Sequence, residues 1–129
     1  IRPWQHVIEP LEGYLSLAES LSTNNILNVE TAFNFGPCPK NSNSVREVLN
    51  ETLKYWNGEI IELEEKTTLH ESSYLSISSE RAKKLIGWQP KWNFSKSIME
   101  TITWYRAVAE GANPTDITRS QIEKYLNTT

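Results

Sequence analysis

Apolar residues recur along this chain at two kinds of spacing. After an opening "IRPWQHV" that reads as a strand, "PLEGYLSLAESL" places Leu11, Leu15, Ala18 and Leu21 at helical intervals, with Pro10 in the first turn and Gly13 as a mild penalty. "VETAFNFGP" alternates Val29, Thr31 and Phe33 with Glu30, Ala32 and Asn34, which predicts a strand ended by Gly36 and Pro37. After a "CPKNSN" loop comes the clearest helix, "SVREVLNETLKYWNG". Ser44 and Glu47 form a capping box there, Val45, Val48, Leu49, Leu53 and Trp56 form an apolar face, and Gly58 stands at the expected C-terminal cap.

The second half repeats the pattern in shorter pieces. "EIIELEE" and "YLSIS" are strand candidates, separated by the polar "KTTLHES". "SERAKKLIGW" is a short helix with Gly87 at its end, and "QPKWNF" is an aromatic loop. Ile98, Ile102, Tyr105 and Ala109 predict a long amphipathic helix, and Ile122, Tyr125 and Leu126 a last one. The expected fold class is α/β: a small unit of few short strands and about five helices, without the long βαβ alternation of a self-contained doubly wound domain.

Composition narrows the function. The chain has 129 residues, one domain's worth, with a net charge of −3 and no basic run. That argues against non-specific binding to nucleic acid or to a membrane surface. Cys38 is the single cysteine, so no internal disulfide is available, and a cytoplasmic location is expected. No apolar run reaches the roughly 18 residues of a membrane span.

Motif chemistry is sparse. The five glycines form no dinucleotide turn or P-loop, no Cys/His spacing fits a metal, and no nucleophile elbow occurs. Cys38 reads as an inert loop thiol. Arg2 offers paired donors that suit a phosphate, beside Trp4, Gln5 and His6; alternation would put Arg2, Trp4 and His6 on one face. The alternative is a strand arginine paired with a carboxylate and a tryptophan in the core. His70 and Glu71 can serve a phosphate and a sugar hydroxyl, or simply sit in a solvated loop. Trp88 and Trp92 can stack on a base, or tie a short helix to the next segment.

Taken together, "RPWQHVIEPLEGYL", "AFNFGP", "SVREVL", "LHESSYLSISSERAKKLIGWQPKW" and "TITWY" resemble, in that order, the C-terminal part of an extended short-chain dehydrogenase/reductase. Within that superfamily they look most like the CDP-glucose 4,6-dehydratase family. The resemblance implies a small domain that binds a nucleotide-sugar and closes over an NAD-binding Rossmann domain. In that family NAD serves as a recycled oxidant, and water is eliminated across C5 and C6 of a 4-keto sugar. It implies a CDP-sugar substrate and a homo-oligomer. It also carries a substrate-binding role onto Arg2, near the pyrophosphate, and onto Gln5, His6, Asn34, His70 and Glu71. The family's Tyr-x-x-x-Lys pair and glycine-rich turn are not found in this sequence. Residues 1–129 are therefore expected to be a single nucleotide-sugar-binding domain, a fragment of a longer enzyme. No catalytic, cofactor-binding or metal-binding residue is expected in it, and in isolation it should neither hold NAD tightly nor turn over. A non-catalytic nucleotide-sugar-binding module, and a fragment of a dTDP- or UDP-sugar dehydratase or epimerase, are the alternatives.

Overall fold

A buried carboxylate organises the chain. This computed structural model describes residues 1–23, 32–39, 42–62 and 73–128. Among them the order is β1 (Arg2–Pro3), α1 (Ile8–Ser22), β2 (Ser42–Asn43), α2 (Val45–Thr52), α3 (Glu80–Ile86), α4 (Phe94–Ala109) and α5 (Pro114–Leu126). Glu9, in the first turn of α1, is fully buried. Its two oxygens accept from the backbone N–H of Lys91 at 3.1 Å each, and from that of Trp92 at 2.7 Å. The Tyr125 hydroxyl, from the last turn of α5, donates to it at 2.7 Å. A buried carboxylate is tolerated only when its lone pairs are met, and here three donors from two distant segments meet them. Burial, and then the bond to Glu9, push the Tyr125 phenol well above its usual range, so it stays a donor.

Rings pack around this anchor. Trp92 lies between His6 and Tyr125, edge to face at 5.1 Å from each. Glu100 of α4 is a second buried carboxylate, met by Lys96 at 2.6 Å and Lys124 at 3.6 Å. Gln121 of α5 donates to the Glu100 carbonyl at 2.6 Å. Burial alone would push Glu100 up, but the two lysines and Gln121 outweigh it and hold its carboxyl below the usual range. A separate apolar cluster joins Phe35, Ala82 and Trp88, with Leu17, Phe33 and Ile86 against it.

The caps read from sequence are present. Ser44 and Glu47 exchange the reciprocal bonds of a capping box, and Gly87 closes α3 in the left-handed region at φ 70°. Several other expectations are corrected. The helix that begins at Val45 ends at Thr52, not near Gly58, because Lys54 and Tyr55 turn back onto Glu51 and Thr52 through tighter i to i−3 bonds. Gly58 is not left-handed. The opening strand stops at Pro3.

Residues 32–38 form no strand, and residues 29–31 lie outside the described residues. The backbone groups of the 32–38 segment are met by side chains instead of a ladder. Arg81 donates to the Ala32 carbonyl, Gln5 to that of Phe35, and Ser79 bonds both polar groups of Gly36. Residues 59–62 and 74–78 are likewise outside any strand. The Ile1 amine nevertheless donates to the Ser73 carbonyl at 2.7 Å, and Leu75 N–H to the Ile1 carbonyl at 3.1 Å. That is the bond pattern of a single parallel pair. β2 falls in a stretch read as loop, and pairs antiparallel with β1, Arg2 opposite Asn43.

The largest departure is the direction α1 faces. Its leucine stripe points outward: Leu11 is 50% and Leu15 72% exposed, beside exposed Val7 and Tyr14. The inward positions are Glu9 and Gly13, which are buried, and Leu17, which packs on the Phe35 cluster.

Gly13 is explained by close approach. A Cβ there would lie 2.3 Å from Cδ1 of Phe35, a ring fixed in the core by Trp88. Helix propensity alone favours alanine by about 1 kcal/mol. The clash outweighs it, so Gly13→Ala is expected to destabilise by about 1–3 kcal/mol in denaturant titration, and a stabilised variant would refute the packing. Glu9→Gln presents an amide N–H to groups that are themselves donors, and is expected to cost about 1–3 kcal/mol in the same measurement. Unchanged stability would mean Glu9 is not the anchor.

Candidate functional site

The short β1–β2 ribbon carries Arg2, and a cleft opens along it. Trp4 fastens the ribbon by donating its indole N–H to the Asn43 carbonyl at 2.9 Å. Arg2 is half-buried, and one guanidinium nitrogen donates to the Ile1 carbonyl at 3.1 Å. Pro3 and Ser42, the neighbouring pair of the ribbon, form one wall of a cleft of about 410 Å³. Tyr74, Ser79, Lys83 and Trp88 line other parts of it. The volume is that of a small-molecule site. Its chemistry is an apolar floor, several hydroxyls, one cation, Lys83, and one carboxylate, Glu80. The Trp88 indole N–H is buried out of reach of solvent and has no hydrogen-bond partner among the described residues. Such a surface can take a flat, polar molecule, with an arginine on the adjoining strand for an anionic group.

The structure divides the residues singled out from sequence. Gln5 and His6 turn inward, away from an alternating strand. Gln5 donates to the Phe35 carbonyl at 3.0 Å, and so ties the opening segment to the 35–37 turn. His6 is buried; its Nδ1 accepts from Ile8 N–H at 3.3 Å, and its carbonyl accepts from Glu9 N–H at 3.1 Å. It thus orders the start of α1. Gln5 and His6 line a second cavity, against α4 and α5. Asn34 is exposed, and lines neither cavity; nor does Arg2. His70 and Glu71 lie outside the described residues. Trp92 is a core residue, whereas Trp88 is both core and cleft.

Ser42, Tyr74 and Lys83 were not singled out from sequence. The signal that could find two of them is position: Ser42 follows the proline-rich turn and Tyr74 the "HES" stretch, whereas Lys83 lies inside a short helix with no such mark. Cys38 is half-buried, and lines the same cleft.

Dinucleotide binding does not fit the described residues. It needs a strand, a glycine turn and a helix N-terminus in succession. Gly13 sits inside α1 against Phe35, and Gly36 packs on Ile77, so neither close approach is open to a pyrophosphate. Among the described residues no group of His, Cys, Asp and Glu is placed to hold a metal, and no helix is long and apolar enough to cross a membrane.

Comparison with known proteins places the chain. No family model matches it. It is 29% identical over 130 aligned residues, its whole length, to a CDP-glucose 4,6-dehydratase of Salmonella typhimurium, of which the match covers 36%. It is also 29% identical over 112 residues, 86% of its length, to a UDP-glucose 4-epimerase of Lacticaseibacillus casei, of which the match covers 32%. The chain thus spans about a third of the length of the curated relatives it matches. It is a homologue of part of a nucleotide-sugar dehydratase, and the resemblance read from its motifs holds. Five helices and a two-stranded sheet, among the described residues, account for that third.

The burial of His6 has a pH consequence. Desolvation lowers its pKa below the ordinary 6.5, and the Glu100 carboxylate offsets only part of that shift. As pH falls below about 6.5 the unfolded chain takes up this proton first, so stability is full above that pH and declines below it. The His6 ring resonance is expected to titrate with a midpoint under 6.5 in an NMR pH series. A midpoint above 6.5 would contradict the buried, neutral ring.

Proposed function

We propose that this chain is the nucleotide-sugar-binding portion of an NAD-dependent CDP-glucose 4,6-dehydratase, which forms CDP-4-keto-6-deoxyglucose. The observation that carries the reading is similarity along the chain's entire length to a CDP-glucose 4,6-dehydratase. The position of Arg2 supports it: a planar, permanently charged donor pair stands on a ribbon beside a cleft of nucleoside size. In this reading Arg2 clamps the pyrophosphate, and the cleft beside it takes a flat part of the substrate. The share of this chain is to bind and orient. The tyrosine that starts the oxidation, and NAD itself, belong to a Rossmann domain that packs elsewhere on the enzyme. The outward leucine stripe of α1 is a face suited to that packing.

A second reading keeps the site and changes the base. It draws on the similarity to a UDP-glucose 4-epimerase, which covers most of the chain. Calorimetric titration with CDP, UDP and dTDP separates the two. CDP is expected to bind most tightly, and Arg2→Ala to weaken it by about tenfold or more, the worth of a charge-assisted bond. Tighter binding of UDP or dTDP would move the assignment to the second reading. An Arg2→Ala variant that binds CDP as well as the parent would remove the clamp.

A further inference from the structure

The segment that follows α2 brings together a side-chain amide and a main-chain nitrogen, both uncommitted. Past the tight turns at Lys54 and Tyr55, residues 57–60 belong to no helix or strand. Asn57 and Gly58 are exposed, and both line a surface groove of about 350 Å³. Neither the Asn57 amide nor the Gly58 N–H makes a hydrogen bond in the described structure. Nor is Gly58 wedged in place: its φ is not positive, and an added Cβ would meet only Leu53 Cδ2, at an ordinary 3.8 Å. Water therefore reaches both groups, and the backbone between them keeps the freedom of glycine.

The other asparagines among the described residues are each restrained. Asn43 spends its amide on Glu47, and the N–H that follows it, of Ser44, is bonded to the same carboxylate at 2.7 Å. Asn93 and Asn113 use their side-chain oxygens as helix caps, and Pro114 after Asn113 has no N–H. The N–H after Asn127 is bonded to the Tyr125 carbonyl at 3.0 Å. Asn50 lies within α2, where the main chain is engaged in helical bonds. Asn34 is exposed, but the residue after it is Phe35, whose ring is buried against Trp88. Among the described residues, exposure, a free amide and a free following N–H coincide at Asn57 alone.

We propose that Asn57–Gly58 is a self-modification site, at which the chain converts asparagine to isoaspartate and aspartate without an enzyme. A base such as hydroxide takes the proton of the Gly58 N–H. That nitrogen attacks Asn57 Cγ in the same chain, where proximity replaces a second molecule. The new N–Cγ bond closes a five-membered imide, and the bond from Cγ to the side-chain nitrogen breaks as ammonia leaves with a proton. Water then opens the ring. Attack at the Asn57 main-chain carbonyl gives isoaspartate, and attack at Cγ gives aspartate. Nothing is oxidised or reduced: an amide and water become a carboxylate and ammonium. The chain becomes one unit more negative than its −3. In the isoaspartate the main chain runs through the former side chain, and so is one atom longer just after Trp56, which lines the same groove. The site shares no residue with the cleft beside Arg2, and does not rest on the dehydratase reading.

The test is incubation of the folded chain in mildly alkaline buffer, with a parallel sample in urea, followed by ion-exchange chromatography and peptide mapping by mass spectrometry. The parent peak is expected to be lost to species one charge more acidic, altered at Asn57 and with isoaspartate as the main product. Asn57 is expected to convert at close to the same rate folded and in urea, and Asn43 to convert in urea alone. Gly58→Ala, which the space around Gly58 accommodates, is expected to keep its parent peak over the same period, because the added Cβ hinders the attacking nitrogen. Protection of Asn57 in the folded chain relative to urea overturns the proposal. So does conversion of Asn34 or Asn43 ahead of Asn57 in the folded chain, or an unchanged rate in Gly58→Ala.

Discussion

The carboxylate of Glu9 is the constraint on which the other placements depend. It sits with no exposure one residue into α1, where water cannot reach it. An anion in that position is stable only if the chain brings donors to it. Those donors come from two places far away in sequence, the Lys91–Trp92 backbone and the Tyr125 hydroxyl. Satisfying one side chain therefore fixes the start of α1, the loop before α4 and the end of α5 relative to one another. The rings follow from this: with Trp92 and Tyr125 held by Glu9, His6 has one aromatic edge left to pack on. An apolar residue at position 9 could fill the same volume, but it would specify no orientation for three backbone segments.

This manner of construction leaves apolar surface unused. The core among the described residues is a small cluster around Phe35 and Trp88 and a larger polar-anchored one around Glu9 and Glu100. Meanwhile Leu11, Leu15 and Tyr14 are turned to solvent on one side of α1. A contiguous stripe of that kind is costly in water and is suited to a partner surface. The two facts fit together. A unit that matches about a third of its relatives' length fixes its shape largely by polar contacts, and its leucine face is left exposed.

What was legible in the sequence is what short-range chemistry decides. The capping box at Ser44 and Glu47, and the left-handed glycine at 87, need only their immediate neighbours. All five helices could be placed for the same reason. What periodicity could not decide is which side of a helix faces in. In α1 the stripe of Leu11, Leu15 and Leu21 faces out, while Glu9, Gly13 and Leu17 face in, so the stripe marked a surface, not a core. In α5, Ile122 and Leu126 are exposed while Gln121 is buried, because Gln121 has a partner at Glu100 that no local pattern announces. Strands failed for a related cause. A strand is completed by its ladder, and the segment at 32–38 meets its backbone needs with the side chains of Gln5, Ser79 and Arg81.

The opening stretch shows how far a motif can be read. Arg2, Trp4, Gln5 and His6 are adjacent and look like one constellation, and on an ideal strand their pleat would sort them onto two faces. The strand instead ends at Pro3, and the chain turns into the lead-in to α1. That turn sends Arg2 to the ribbon and its cleft, and Gln5 and His6 to a different cavity on α4 and α5. Trp4 is the hinge between them, fastened to the Asn43 carbonyl. A compact signature in sequence is thus not a compact site in space. Here it is the junction at which one segment supplies a surface cation, a ribbon fastener and a buried helix-ordering ring. The constraint that sets the junction lies just past it, at Glu9, because the depth at which that carboxylate is held determines where the strand must stop.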